Sequence, residues 1–134
     1  MNQDTADLWS RAVRSLASAA KLTGDDPDSA VSRAYYAAFY AVSALFALQG
    51  RMFTKHRAVE TAVHRDLVNQ KLWPADLGEA FSELVRLRRT GDYGGRTHVP
   101  SDEAEEAVNK ARRILQAVHD ASPQDFPEPD DTPL

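Results

Sequence analysis

Arginine and tyrosine side chains recur at helical spacing near the end of one predicted helix. Arg89 and Tyr93 follow Arg86 by three and seven residues, so on a helix all three lie on one face. Guanidinium groups hold phosphate through forked pairs of hydrogen bonds, and a tyrosine hydroxyl can donate one more. Arg88 and Asp92 are four residues apart on a different side, where they can form an ion pair. The segment predicts either an anion-binding face or a helix end fixed by Asp92 and Tyr93, with the arginines in solvent.

A second set with the same spacing lies on an earlier predicted helix. Tyr36 and Tyr40 follow Arg33 by three and seven residues. These side chains can form an aromatic core or a dimer seam, with the hydroxyls hydrogen-bonded at its edge. Alternatively, Arg33 and Tyr36 lie beside the arginines of the later helix and complete an RNA- or phosphate-binding pocket. The spacing alone leaves both interpretations open.

Two histidines are candidates for acid–base catalysis, because imidazole titrates near neutral pH. His56 follows Lys55 at the start of a predicted helix, where the helix dipole favours an anion, although a capping or surface histidine would look the same. His98 lies after Arg96 in a glycine-bordered loop that could fold back on Arg86. The spacings of the four histidines match no zinc pattern and the chain has no cysteine, so we expect no metal site and no cofactor.

The elements that position these residues are helices, because apolar residues recur at spacings of three and four and no alternating segment is long enough for a strand. The pattern predicts an all-α bundle of about five helices. Its helix start signals are Asp4, Asp26 with Pro27, Thr54, Pro74, and Pro100 with Ser101.

Helix two has no polar face. The segment "RAYYAAFYAVSALFALQG", residues 33–50, carries alanines at alternating spacings of three and four, with aromatic and branched side chains beside them. A helix that is apolar all round is buried on every side, and in a small bundle part of that surface often faces a second subunit. We therefore expect helix two to be central and to form a homodimer interface.

Composition predicts one domain, residues 1–120, followed by an acidic, proline-rich and disordered tail, residues 121–134. The net charge of −4 argues against a strongly basic nucleic-acid binder, but most of the acidity belongs to the tail. The absence of cysteine suits a reducing cytoplasm. No leader pattern opens the chain and polar residues interrupt the apolar run of helix two, so we expect a cytoplasmic protein that is not inserted in a membrane.

Three segments taken together carry a family resemblance. "SRAYYAAFYAVSALFALQG", then "TKHRAV", then "LRRTGDYGG" ahead of a final amphipathic helix resemble, in order and spacing, the small stand-alone HEPN proteins over about residues 5–120. The resemblance implies an up-and-down helical bundle that is commonly dimeric. It also implies a toxin–antitoxin or defence module in which the gene lies beside that of a nucleotidyltransferase-fold partner.

Many HEPN proteins are metal-independent ribonucleases, in which an arginine is followed five residues later by histidine and two further on by tyrosine. Here that frame falls on Arg86, Gly91 and Tyr93. Glycine can neither take nor donate the protons that the cleavage moves, whereas phosphate binding needs no imidazole. We therefore expect an RNA- or nucleotide-binding protein. Two alternatives are an endoribonuclease that uses His56 or His98 instead, and a helical docking module with no nucleic-acid role.

Overall fold

Five α-helices account for most of the chain, as the apolar spacing predicted. The computed structural model describes residues 2–129, and within that range no residue is in a β-strand. The helices are α1 (Gln3–Leu22), α2 (Pro27–Leu48), α3 (His56–Ala62), α4 (Ala75–Tyr93) and α5 (Ser101–Ala121). A π-helical segment, Val63–Val68, continues α3 directly. The prediction of an all-α bundle of about five helices is confirmed.

Two predicted helix caps were wrong. The cap of α1 is Asn2 and not Asp4, because the Asn2 side chain accepts a hydrogen bond from the backbone N–H of Thr5 at 2.9 Å. The helix therefore starts earlier than predicted, and Asp4 lies in its first turn, where a negative charge is favourable. At α3 the residue before the helix is Lys55, which makes no side-chain cap, so Thr54 does not cap it.

The predicted boundaries of α2 are confirmed. Asp26 accepts a hydrogen bond from the backbone N–H of Ser29 at 3.3 Å, and Pro27 occupies the first helical turn, where its missing N–H is not needed. Past the other end, Gly50 has φ +80° and its N–H donates to the carbonyl of Ala47 at 2.9 Å. Glycine adopts this left-handed conformation at little cost, so it ends the helix.

Three helices, α1, α4 and α5, cover most of α2. Its alanine stripe is fully buried and comprises Ala30, Ala34, Ala37, Ala41 and Ala44. On the remaining side, Tyr36, Phe39 and Tyr40 are only half-buried, and we call these three residues the aromatic strip. Within residues 2–129, α2 is also the one helix that is long and apolar enough to cross a membrane, although 61% of its apolar window is buried inside the bundle, as in a core helix.

The end of α4 lies against the start of α2 at Gly91. A Cβ atom placed on Gly91 would lie 2.6 Å from the backbone oxygen of Asp28 and 2.9 Å from Cγ2 of Val31. Both distances are far inside van der Waals contact, and the first involves backbone that cannot rotate away. The two helices can approach this closely only because residue 91 has no side chain.

The segment after α5 differs from the predicted disordered tail. Phe126 is fully buried, with its ring 5.1 Å from that of Trp9 on α1. His119 Nδ1 donates to the carbonyl of Phe126 at 2.5 Å, and its Nε2 lies 2.9 Å from a carboxylate oxygen of Glu128. One aromatic anchor thus holds residues 122–129 against the body despite their prolines and carboxylates. The part of the predicted tail at 130–134 lies outside the described residues.

Candidate anion-binding site

Arg88 on α4 lies over two tyrosine rings of α2. Its guanidinium carbon is 5.1 Å from the ring centre of Tyr35 and 5.2 Å from that of Tyr36, both within cation–π range. Its Nε donates to Asp92, one turn later on α4, at 3.2 Å. This is the ion pair that the four-residue spacing predicted. The side chain of Arg88 is 22% exposed, so a held cation reaches the surface at this point.

His56, the first residue of α3, lies in the same place. Its ring stacks on Phe39 with 4.2 Å between ring centres and 6° between planes. Its Nδ1 lies 2.7 Å from the hydroxyl of Tyr35, and the residue remains partly open to solvent. We call His56, Tyr35 and Arg88 the Arg88 site. Two helices and the start of a third therefore meet here, with α2 providing the aromatic floor.

The electrostatics of the Arg88 site fix its protons. Partial burial and the charge of Arg88 lower the pKa of His56, so the imidazole is neutral at neutral pH. Burial raises the pKa of Tyr35, so its phenol keeps its proton. The 2.7 Å contact between the Tyr35 hydroxyl and Nδ1 fits a phenol that donates to the imidazole, and in that tautomer the imidazole proton is on Nε2. The site therefore combines the N–H donors of Arg88, one of which is bonded to Asp92, with an adjacent neutral imidazole, and the remaining guanidinium donors can bind a phosphate oxygen.

The other predicted residues of α4 lie around this site. Burial raises the pKa of Tyr35, and the charges of Arg88 and, more weakly, Arg89 oppose that rise, so Arg89 is within electrostatic reach of the Arg88 site. Tyr93 is 75% exposed at the end of the helix. Arg86 is ion-paired with Glu83, and its hydrogen bond to Glu83 raises its pKa, as do the negative charges of Glu83 and of Glu103 on α5. Arg86 thus lies on the α5 side of α4, whereas Arg88 lies on the side of α2 and α3.

The remaining predicted residues fall in other places. Tyr36 lies under Arg88, but Arg33 lies in a groove between α1 and α2 together with Arg11 and Arg14. His98 is 69% exposed at its side chain, and its Nδ1 lies 2.6 Å from a carboxylate oxygen of Asp28 at the start of α2. The loop therefore packs on the start of α2 at Asp28 and does not fold back on Arg86, which is paired with Glu83.

Sequence reasoning missed Tyr35 as a site residue, because its spacing assigned it to the core stripe of α2. It is indeed 1% exposed, and only its hydroxyl reaches the site. The adjacent tyrosines and the histidine that opens α3 were available signals. Their contact could not be inferred, because it depends on how the α2–α3 loop returns across the bundle.

A second hydrogen-bonded chain was also missed. His64, in the π-helical segment, lies 2.8 Å through Nε2 from the hydroxyl of Ser82 on α4, which donates to Glu60 at 2.8 Å. Gly78 allows the approach, because a Cβ there would lie 3.1 Å from the His64 ring. The Ser82 hydroxyl donates its proton to the Glu60 carboxylate and not to the His64 imidazole. In a serine nucleophile activated by histidine, the hydroxyl donates to the imidazole, so this hydrogen-bonded chain is not of that kind. Its role is to join α3 to α4.

The HEPN domain model matches residues 5–121. The chain belongs to the HEPN family. Gly91 falls at the histidine position of the frame that the resemblance implies, and its close contact with Asp28 leaves no room there for a side chain. In this HEPN protein, His56 at the start of α3 is an exposed histidine that lies beside Arg88 of α4.

Three relatives are similar over most of the HEPN fold. A "UPF0332 protein" of Thermotoga maritima is 34% identical over 114 residues, which cover 84% of this chain and 86% of that protein. A "UPF0332 protein glr0978" of Gloeobacter violaceus is 29% identical over 119 residues, covering 87% and 94%. A protein of Methanocaldococcus jannaschii named "Putative toxin MJ0142" is 31% identical over 88 residues, covering 66% and 60%.

Proposed function

We propose that this HEPN protein binds RNA or a nucleotide through the Arg88 site, as one half of a toxin–antitoxin or defence module. The observation that carries the proposal is the guanidinium of Arg88, fixed by Asp92 over two tyrosine rings beside the imidazole of His56. A preorganised cation loses little conformational freedom when a phosphate binds, and the partly buried setting strengthens the attraction. Arg89 adds a second positive charge nearby.

The proton arrangement of His56 favours binding over cleavage. A general base must offer a lone pair to the 2′-hydroxyl, and in the tautomer that we propose Nδ1 accepts from Tyr35 and Nε2 carries the proton. A neutral imidazole in this tautomer donates a hydrogen bond to a phosphate oxygen instead. The second candidate, a ribonuclease that uses His56, requires the imidazole to exchange tautomers. It is supported by the proximity of His56 to Arg88, whose charge would stabilise a pentavalent phosphate.

A comparison of two arginines on α4 tests the binding proposal. Arg88→Met and Arg86→Met each remove one positive charge from the same helix, but only the first removes it from the Arg88 site. With a fluorescent oligouridine, we expect Arg88→Met to weaken binding about tenfold or more, because a charged hydrogen bond contributes roughly 1.5–3 kcal/mol. Arg86→Met should change affinity little. Equal losses of RNA affinity in both variants, with unchanged melting temperatures, would mean that the overall positive charge of α4 and not the Arg88 site holds the RNA.

The ribonuclease candidate is tested separately. RNA degradation that persists in EDTA and disappears in His56→Ala would identify an enzyme, because a metal-independent reaction needs the imidazole. Stable RNA in both proteins, with binding retained in the wild type, would leave the binding function alone.

We propose that the protein acts as a homodimer and pairs with a nucleotidyltransferase-fold protein. A second copy would cover the rings of the half-buried aromatic strip and leave the Tyr40 hydroxyl and the neighbouring guanidinium groups at the edge of the interface, where the Arg88 sites of both copies would open on one seam. Light scattering that reports a monomer at every concentration would contradict the dimer.

The toxin role and the pairing are tested in cells. One relative is named "Putative toxin MJ0142", which supports a toxin role. Expression of this protein should arrest growth, and co-expression of the neighbouring gene should relieve the arrest. Growth that is unaffected by expression would contradict the toxin role.

A further inference from the structure

The groove between α1 and α2 gathers three arginines that the Arg88 site does not use. Arg11 and Arg14 are one turn apart on α1, and Arg33 faces them from α2. Together with Ser18 and Tyr40 they line a shallow groove of about 210 Å³, which we call the α1–α2 groove. Positive charge is thus concentrated in one concave place on a protein whose net charge is −4.

The charges in this groove are not neutralised. Within residues 2–129, no carboxylate lines it, and none of its three arginines lies within ion-pair distance of one. In the same part of the chain, five other arginines pair with carboxylates and four do not, but the groove is where three unpaired arginines line one concavity. Like charges held together repel one another, and a bound anion relieves that repulsion.

The donors match phosphate. Guanidinium groups bind phosphate through paired N–H bonds, and the hydroxyls of Ser18 and Tyr40 can donate to further oxygens. The volume is below the roughly 300 Å³ at which enclosed small-molecule pockets begin, so the groove suits a phosphate group and not a whole enclosed nucleotide.

Tyr40 connects the groove to the Arg88 site. The guanidinium carbon of Arg11 is 5.9 Å from the ring centre of Tyr40. The ring centres of Tyr40 and Tyr36 are 5.8 Å apart. The guanidinium carbon of Arg88 is 5.2 Å from the ring centre of Tyr36. Two aromatic rings therefore lie between two cations along one surface. This is the pattern of surfaces that bind single-stranded nucleic acid, in which cations hold the backbone.

We propose that the α1–α2 groove is a second phosphate-binding site, which holds backbone phosphates of the same RNA strand that occupies the Arg88 site. The identity of this ligand rests on the proposed function. The shared chemistry, a phosphate with free oxygens, could also come from a free polyphosphate, so the test includes both sources.

The test compares two double variants of equal charge. Arg11→Gln with Arg14→Gln removes the α1 half of the groove, and Lys110→Gln with Arg112→Gln removes two charges from α5. Each is measured against a uridine dinucleotide and against oligouridine of about 10 nucleotides, within the range of single-strand binding sites. The groove variant should bind the long strand about tenfold more weakly and leave the dinucleotide unchanged. Its salt slope should fall by about 0.7 for each phosphate that the protein no longer neutralises. The α5 variant should match the wild type.

The outcomes separate the two proposals. If Arg88→Met weakens RNA binding and the groove variant does not, the second site is wrong and the proposed function stands. If the wild type binds neither RNA, the proposed function fails. Binding of inorganic tripolyphosphate then tests whether the groove is a phosphate site. Tripolyphosphate-induced NMR shifts at Ser18 and Arg33, which both proteins retain, should be present in the wild type and vanish in the groove variant if the groove binds free phosphate. Their absence in the wild type would overturn the groove altogether.

Discussion

The hydroxyl of Tyr35 lies 2.7 Å from Nδ1 of His56, so a buried phenol on α2 fixes the orientation of the one exposed histidine beside Arg88. The first prediction concerns this hydrogen bond. Tyr35→Phe keeps the ring contacts and removes the donor, so we expect a loss of about 1 kcal/mol in the free energy of unfolding. Nitrogen-15 NMR should show the Nε2–H tautomer in the wild type and a mixture in the variant. Tyr93→Phe, at an exposed position, is the control. A mixed population in the wild type would contradict the assignment.

A second prediction concerns the charge that Arg88 places on His56. Burial and this charge hold the pKa of His56 below its ordinary value, so Arg88→Met should raise it. Arg86→Met should leave it unchanged, because Arg86 is paired with Glu83 on the α5 side. The measurement is an NMR titration of the His56 ring proton in the three proteins. A pKa that moves equally in both variants would show that Arg88 is not the neighbour that matters.

Much of this fold could be predicted, because helix periodicity and the caps are local properties. The start of α2 at Pro27 and its end at Gly50 depend on nearby residues alone. The site could be predicted only in part. Spacing identified the face that holds Arg86, Arg89 and Tyr93, whereas the structure places Arg88 and His56 together. Which side of α4 meets α2 is decided by packing at Gly91, a contact between residues far apart in the sequence.

The third prediction follows from that packing. Gly91→Ala adds a Cβ 2.6 Å from the backbone oxygen of Asp28, so α2 and α4 must separate. Overpacking of this kind costs roughly 1–3 kcal/mol, and a backbone neighbour places the change towards the upper end. Gly24→Ala is the control, since nothing lies within 4 Å of its Cβ position. Denaturant unfolding of both variants is the measurement. An unchanged midpoint for Gly91→Ala would contradict the close approach, and with it the explanation of why no histidine occupies this position.

The fourth prediction concerns the segment after α5. Phe126 is fully buried against Trp9, and burial of a large apolar side chain contributes roughly 1.5–3 kcal/mol. Phe126→Ala should therefore release residues 122–129. The backbone N–H groups of Asp125 and residue 126 donate to the Ser122 carbonyl at 3.0 and 2.9 Å. Hydrogen exchange at these two groups should become faster in the variant. Gln124→Ala, at an exposed position, should leave exchange unchanged. Rapid exchange already in the wild type would restore the prediction of a disordered tail.

The fifth prediction is a pH dependence of stability. The pKa of His56 in the folded protein is lower than its ordinary value of 6.5, so the unfolded chain takes up the proton first as pH falls. The free energy of unfolding should therefore be unaffected by His56 above that value and should decrease as pH drops below it. The carboxylate of Asp28, whose pKa is lowered from 3.8 by bonds from Val99 and His98, loses its contribution only at more acidic pH.

Urea unfolding at about pH 8 and about pH 5, on either side of the ordinary histidine pKa, measures this effect. In His56→Asn the loss between the two pH values should be smaller than in the wild type, because one group that resists protonation is gone. His64, His98 and His119 are present in both proteins, so their contributions cancel in the difference. An equal loss in the two proteins would mean that His56 is as easily protonated in the folded state as in the unfolded chain, and would remove the argument that it serves as a neutral donor beside Arg88.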